Sequence, residues 1–125
     1  MSVVSADAID GRGDCFIVHL DALMLGIQVH APAPIGTMRL GHHHVLVHGT
    51  VDHERQPRHW HCWLESDDGV WVIDISNGHR VIIERPTYYE AGHVQDVKRY
   101  TRPEIVLMTA MHNHAGPWHR ASVNA

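Results

Sequence analysis

Only two cysteines occur in the 125 residues, Cys15 and Cys62. Two thiols cannot build a disulfide framework, so a cross-linked secreted scaffold is excluded and the open question is whether either thiol is reactive. No uninterrupted apolar run approaches the roughly 20 residues of a membrane-spanning helix. The opening residues MSVVSADAIDGRGD carry neither a basic leader nor an apolar stretch, so no signal peptide is expected and a cytoplasmic location is. Positive charge is in short supply as well. The net charge is −4 with histidine neutral, which leaves no basic footprint for nucleic acid or for a membrane surface. Zinc-site spacings are also missing: there is no His-Glu-x-x-His and no Cys-x-x-Cys.

What is present is a globular composition, 44% hydrophobic and 19% charged, long enough for one domain over residues 1–125 with one core. Histidine is unusually abundant, with 14 copies. Two groups stand out, His42, His43, His44 and His48, and later His112, His114 and His119. Imidazole is a common metal ligand, but without an established spacing these groups predict no metal site, and no cofactor is expected.

The order of elements predicts an α+β fold. Asp14 is placed to cap a mostly buried helix over 15–28, with Gly26 in its last turn. Prolines and Gly36 make 31–36 a loop. The β-branched run 45–51 predicts a strand, and Pro57 within a polar stretch makes 52–58 a loop. Strands are expected at 59–65, 70–75 and 79–83, joined by a turn at Ser66-Asp67-Asp68-Gly69 and a second at Asn77-Gly78. These strands would form an antiparallel meander. A short helical turn at 86–91 and a strand at 94–100 follow. Thr101-Arg102-Pro103-Glu104 is a capping box opening a late helix to about residue 111, and the tail with Trp118 is expected to pack across the domain.

Chemistry concentrates at three places. Gly11-Arg12-Gly13-Asp14-Cys15 sets a thiol in the first turn of an apolar helix, where unpaired N–H groups and the helix dipole favour a thiolate. Gly13 would leave room there for a substrate backbone. His61 and Asp74 lie on neighbouring expected strands, near each other at one end of the hairpin; if their side chains share a face, Asp74 can orient the imidazole and turn its other nitrogen to the thiol. Alternation puts His59, His61, Trp63 and Glu65 on one face and Trp60, Cys62 and Leu64 on the other. Cys62 therefore points away from His61 and is expected to be a buried core thiol, while Trp63 is expected to line a substrate cleft beside the base.

Gly13-Asp14-Cys15, His61-Cys62-Trp63-Leu64-Glu65 and Trp71-Val72-Ile73-Asp74-Ile75-Ser76 resemble the papain-like cysteine hydrolase and transglutaminase-like superfamily. In many bacterial members the second motif reads His-Ala-Trp-Val-Glu and the third ends in Tyr-Asp-Pro-Ser. The resemblance covers residues 13–83, and the tail segments Tyr100-Thr101-Arg102-Pro103-Glu104 and Gly116-Pro117-Trp118 are similar to small bacterial and phage members. It implies a papain/transglutaminase-like core with Cys15 as nucleophile, His61 as general base and Asp74 as orienter. It also implies acyl transfer on a peptide or protein substrate, by hydrolysis as in a thiol protease or amidase, or by transamidation or deamidation. Departures are Cys62 for alanine, Ile75 where proline is common, and no glutamine ahead of Cys15 to complete an oxyanion hole. The last departure keeps a non-catalytic peptide- or protein-binding module as the alternative.

Overall fold

A computed structural model describes residues 14–31, 33, 35–53, 56–76 and 80–118. Helix α1 (Asp14–Leu25) begins with Asp14 itself, the residue expected to cap it. It ends before the expected residue 28 because Gly26 takes a left-handed φ of 66°. The Gly26 and Ile27 N–H groups then turn back onto the carbonyls of Leu23 and Ala22, at 3.3 and 3.2 Å. That pair of bonds is a Schellman stop, which glycine makes without steric cost.

The loop expected at 31–36 connects a small hairpin that the sequence did not announce, β1 (Gln28–His30) on β2 (Thr37–Arg39). Its alternation is too short to read, since Val29 alone points into the core between two exposed neighbours. The Ala31 N–H closes the hairpin on the Gly36 carbonyl at 2.8 Å.

The main sheet has five antiparallel strands in the order β6-β5-β4-β3-β7. β3 (His44–His53) and β4 (Gln56–Ser66) overrun the loop expected at 52–58. Pro57 is accommodated because the β3–β4 register slips between Val51 and His53, at the end of the ladder where a missing N–H breaks nothing. β5 (Trp71–Asp74) and β6 (Val81–Glu84) complete the expected meander. The Asn77-Gly78 turn lies outside the described residues. Helix α2 (Arg85–Gly92) replaces the expected single turn, and β7 (Gln95–Tyr100) crosses to the far edge beside β3. Helix α3 (Arg102–His112) starts at the capping box. There the Thr101 side chain accepts from the Glu104 N–H, and Glu104 accepts from the Thr101 N–H at 2.8 Å. Among the described residues no helix is long and apolar enough to cross a membrane.

The α+β class is thus observed, with α1 on one face of the sheet and α2 on the other. Cys62, Leu64, Leu46 and Ile73 join Phe16, Ala22 and Leu23 of α1, with Tyr100, Ile105 and Trp118 closing the same core. Val47, Val51, Trp63 and Val72 form the second cluster, packed by Tyr88 and Tyr89 of α2. The tail does return to the core, as expected: Trp118 is buried, its ring 4.8 Å from those of Tyr100 and His48.

Close packing of Trp63 depends on one glycine. Gly49 lies opposite His61, and a Cβ there would sit 2.8 Å from the Trp63 ring and 3.2 Å from the Gln95 carbonyl. The indole on one side and backbone on the other leave no direction of escape. Gly49→Ala is expected to cost about 1–3 kcal/mol, read as a lower urea midpoint at unchanged slope.

Candidate functional site

The β4–β5 ladder is short. It pairs Glu65 with Val72 and Leu64 with Ile73. Continuing that register by one residue puts Asp74 opposite Trp63 and on its face, which makes His61 a diagonal neighbour of Asp74. The two side chains meet there: His61 Nε2 lies 2.9 Å from Asp74 Oδ2. Cys15 adds to the balance at the same ring, since its side chain favours the protonated imidazole. The sequence-expected trio of Cys15, His61 and Asp74 is therefore brought together, from α1, β4 and the end of β5.

Cys15 is the second residue of α1, in the first turn, and is 1% exposed. The side chains of His61 and Asp74 are 14% and 11% exposed. Cys62 is fully buried under α1, and its burial pushes the thiol up. Gly13 lies outside the described residues. Trp63 corrects an expectation. It is 0% exposed and cannot wall a cleft. Alternation identified its face but not that α2 covers that face. Its ring lies 5.9 Å from that of His61 and backs the imidazole from inside the protein.

Asp74 collects donors on both oxygens. Oδ2 also accepts the Tyr88 hydroxyl from α2 at 2.6 Å. Oδ1 accepts the Ser76 N–H at 3.1 Å and the Ser76 hydroxyl at 2.7 Å. Burial alone would raise the Asp74 pKa, but the hydrogen bond and charge of His61, with the Tyr88 hydroxyl, hold it well below the usual carboxylate range. His61 shows the reciprocal balance. Burial lowers its pKa, while hydrogen bonds to Asp74 and Cys15, and the charges of both, push it up to about 10. The imidazole is thus held as an imidazolium at neutral pH, beside a sulfur. Tyr88 is pushed up, by burial first and then by the Asp74 charge, so its hydroxyl remains a donor.

Sequence reasoning missed Tyr88, Ser76 and His19. Ser76 carries no signal beyond its place in the motif that ends Asp74-Ile75-Ser76, and Tyr88 lies in a segment whose sequence predicts only a short helical turn. A second polar cluster lies further along the same face. Glu65 is buried and accepts from Trp63 Nε1 at 3.0 Å, from Arg99 Nε at 3.0 Å and from the Tyr89 hydroxyl. Burial disfavours its charge, but these donors hold its pKa below the ordinary value. This cluster anchors the indole that supports His61. Among the described residues no group of three or more histidine, cysteine, aspartate or glutamate side chains is arranged to hold a metal ion.

No family model, curated protein or solved structure matches the chain.

The pH dependence follows from the His61 balance. Folding raises its pKa from 6.5 to about 10. The protonated pair therefore stabilises the fold in full below pH 6.5, and that contribution is lost as the pH rises through about 10. Asp74→Asn removes the largest opposing influence and leaves Cys15 alone to offset burial. The His61 imidazolium, followed by NMR titration, should then deprotonate roughly one to three pH units lower.

Proposed function

We propose that the protein is a cysteine-dependent acyl-transfer enzyme, a peptidase or amidase or a transglutaminase or deamidase, built on a papain/transglutaminase-like core. The single observation that carries the reading is the 2.9 Å His61–Asp74 bond, with Cys15 at a helix start acting electrostatically on the same imidazole.

The chemistry follows from the geometry. The Cys15 sulfur attacks a carbonyl carbon of a peptide or protein substrate, having given its proton to His61. As the new S–C bond forms, the carbonyl oxygen gains charge. The N–H groups of the first turn of α1, that of Cys15 among them, are the nearest fixed dipoles to stabilise it. The bond to the leaving amine breaks and His61 returns the proton to that amine. Water, deprotonated by His61, then cleaves the thioester to free acid and thiol. An amine in place of water gives transamidation. Asp74 keeps the imidazole oriented and stabilises its charge; Tyr88 and Ser76 hold Asp74.

The near-complete burial of Cys15 supports a second reading, a peptide- or protein-binding module on the same fold in which the thiol is structural. One experiment separates the two. Incubation with p-nitrophenyl acetate, read by intact-mass spectrometry and peptide mapping, should place an acetyl group on Cys15. No adduct should form there in Cys15→Ala, and the rate should fall by roughly a hundredfold or more in His61→Ala, with thermal stability of the Cys15 variant close to that of the parent. An adduct that forms equally fast without His61, or none at all, overturns the enzymatic reading.

A further inference from the structure

His19 lies on α1 one turn after Cys15 and is fully buried. Both ring nitrogens are engaged. Nδ1 lies 2.8 Å from the Cys15 carbonyl oxygen, and Nε2 accepts the Ile75 N–H at 2.9 Å. An N–H pointing at Nε2 requires a lone pair there. The proton must then be on Nδ1, where it is donated to the Cys15 carbonyl. Only one state satisfies both contacts, the neutral ring protonated at Nδ1. The direction of its pKa agrees: burial lowers it, against the opposing charge of Asp74 and the bond to Cys15. The titratable groups acting on the ring are Asp74 at the end of β5 and His61 on β4. The 3.6 Å approach of Nε2 to Asp74 Oδ1 is consequently not a hydrogen bond, because both atoms offer lone pairs.

Packing does not require a histidine here. The position lies on the buried face of α1 with Phe16, Ala22 and Leu23, where an aliphatic side chain would avoid burying two polar atoms. What the imidazole does, and an aliphatic residue would not, is tie the backbone of Cys15 to the backbone that follows Asp74. It spans the junction between the helix that bears the thiol and the strand end that bears the carboxylate.

We propose that His19 is a positioning residue, a neutral strut that sets the distance of Cys15 from the His61–Asp74 pair. The inference rests on the acyl-transfer reading above. Misplacement of a reacting group by about an ångström costs on the order of a hundredfold in rate, so losing the strut should be felt in chemistry more than in stability.

The test uses p-nitrophenyl acetate on three variants of the full chain. His19→Met keeps the volume and removes both bonds, His19→Asn can keep the donor to the Cys15 carbonyl, and His19→Gln can keep the acceptor for the Ile75 N–H. Folded His19→Met should acetylate Cys15 about ten- to a hundredfold more slowly, with Asn or Gln recovering part of the rate. The His61 titration midpoint should fall as its Cys15 contact loosens. If His19→Met does not fold, His19→Gln carries the comparison, and its rate should still be several-fold low. A variant that is fully folded, with parental rate and His61 midpoint, overturns the inference for His19 alone. Failure of the parent protein to acetylate, or indifference to His61→Ala, defeats the acyl-transfer reading instead, so the two failures are distinguishable.

Discussion

A carboxylate withdrawn from water at the end of β5 organises this molecule. Left alone at 11% exposure, the Asp74 charge would be strongly disfavoured. It persists because donors converge on it from β4 through His61, from α2 through Tyr88, and from the chain just beyond β5 through Ser76. Each donor fixes an element as well as a proton. Removing the charge would leave buried donors without their acceptor, so the surrounding secondary structure is held where the electrostatics need it. The elevated His61 pKa is the other half of the same balance.

The sheet divides the labour between its faces. One face packs α1 with Cys62, Leu64 and Ile73; the other packs α2 with Trp63, Val47 and Val72. His61 belongs by alternation to the second face, while Cys15 comes from the helix on the first. The β4–β5 ladder ends at Leu64–Ile73, just short of His61, so among the described residues no β5 partner stands beside the histidine on that edge of β4. The backing of Trp63, tied to Glu65 and closed by Gly49, keeps the imidazole from sinking into the vacancy that a smaller residue would leave.

Much of this was legible in the chain itself, for local reasons. The helix bearing Cys15, the turn at Ser66 to Gly69 and the capping box at Thr101 announce themselves through short-range chemistry, and all three are observed. Alternation assigned His61 to its face, and the tight turn, by fixing the register, brings Asp74 beside it. Legibility failed where the deciding partner is distant in sequence. Trp63 looked like a cleft wall because nothing local shows that Tyr88 and Tyr89 cover it. His19 was invisible, since its two partners are a carbonyl and an N–H that leave no mark in side-chain pattern. The β1–β2 hairpin was hidden by a proline-rich connection and three-residue strands.

The tip of the β4–β5 hairpin is tightly stitched. Ser66 Oγ donates to Asp68 at 2.6 Å, Asp68 accepts the Val70 N–H at 2.9 Å, and the Trp71 N–H returns to Ser66 Oγ at 3.0 Å. These contacts lie at the opposite end of β5 from Asp74, two of them exposed, yet they set the register that carries the carboxylate to the histidine. A one-residue slip would turn Asp74 to the other face and bring Ile73 or Ile75 into its place. The turn therefore behaves as a gauge block, a small external part whose length calibrates a distance elsewhere. Variation in side-chain character at its outer positions is harmless in a way that variation in its length is not.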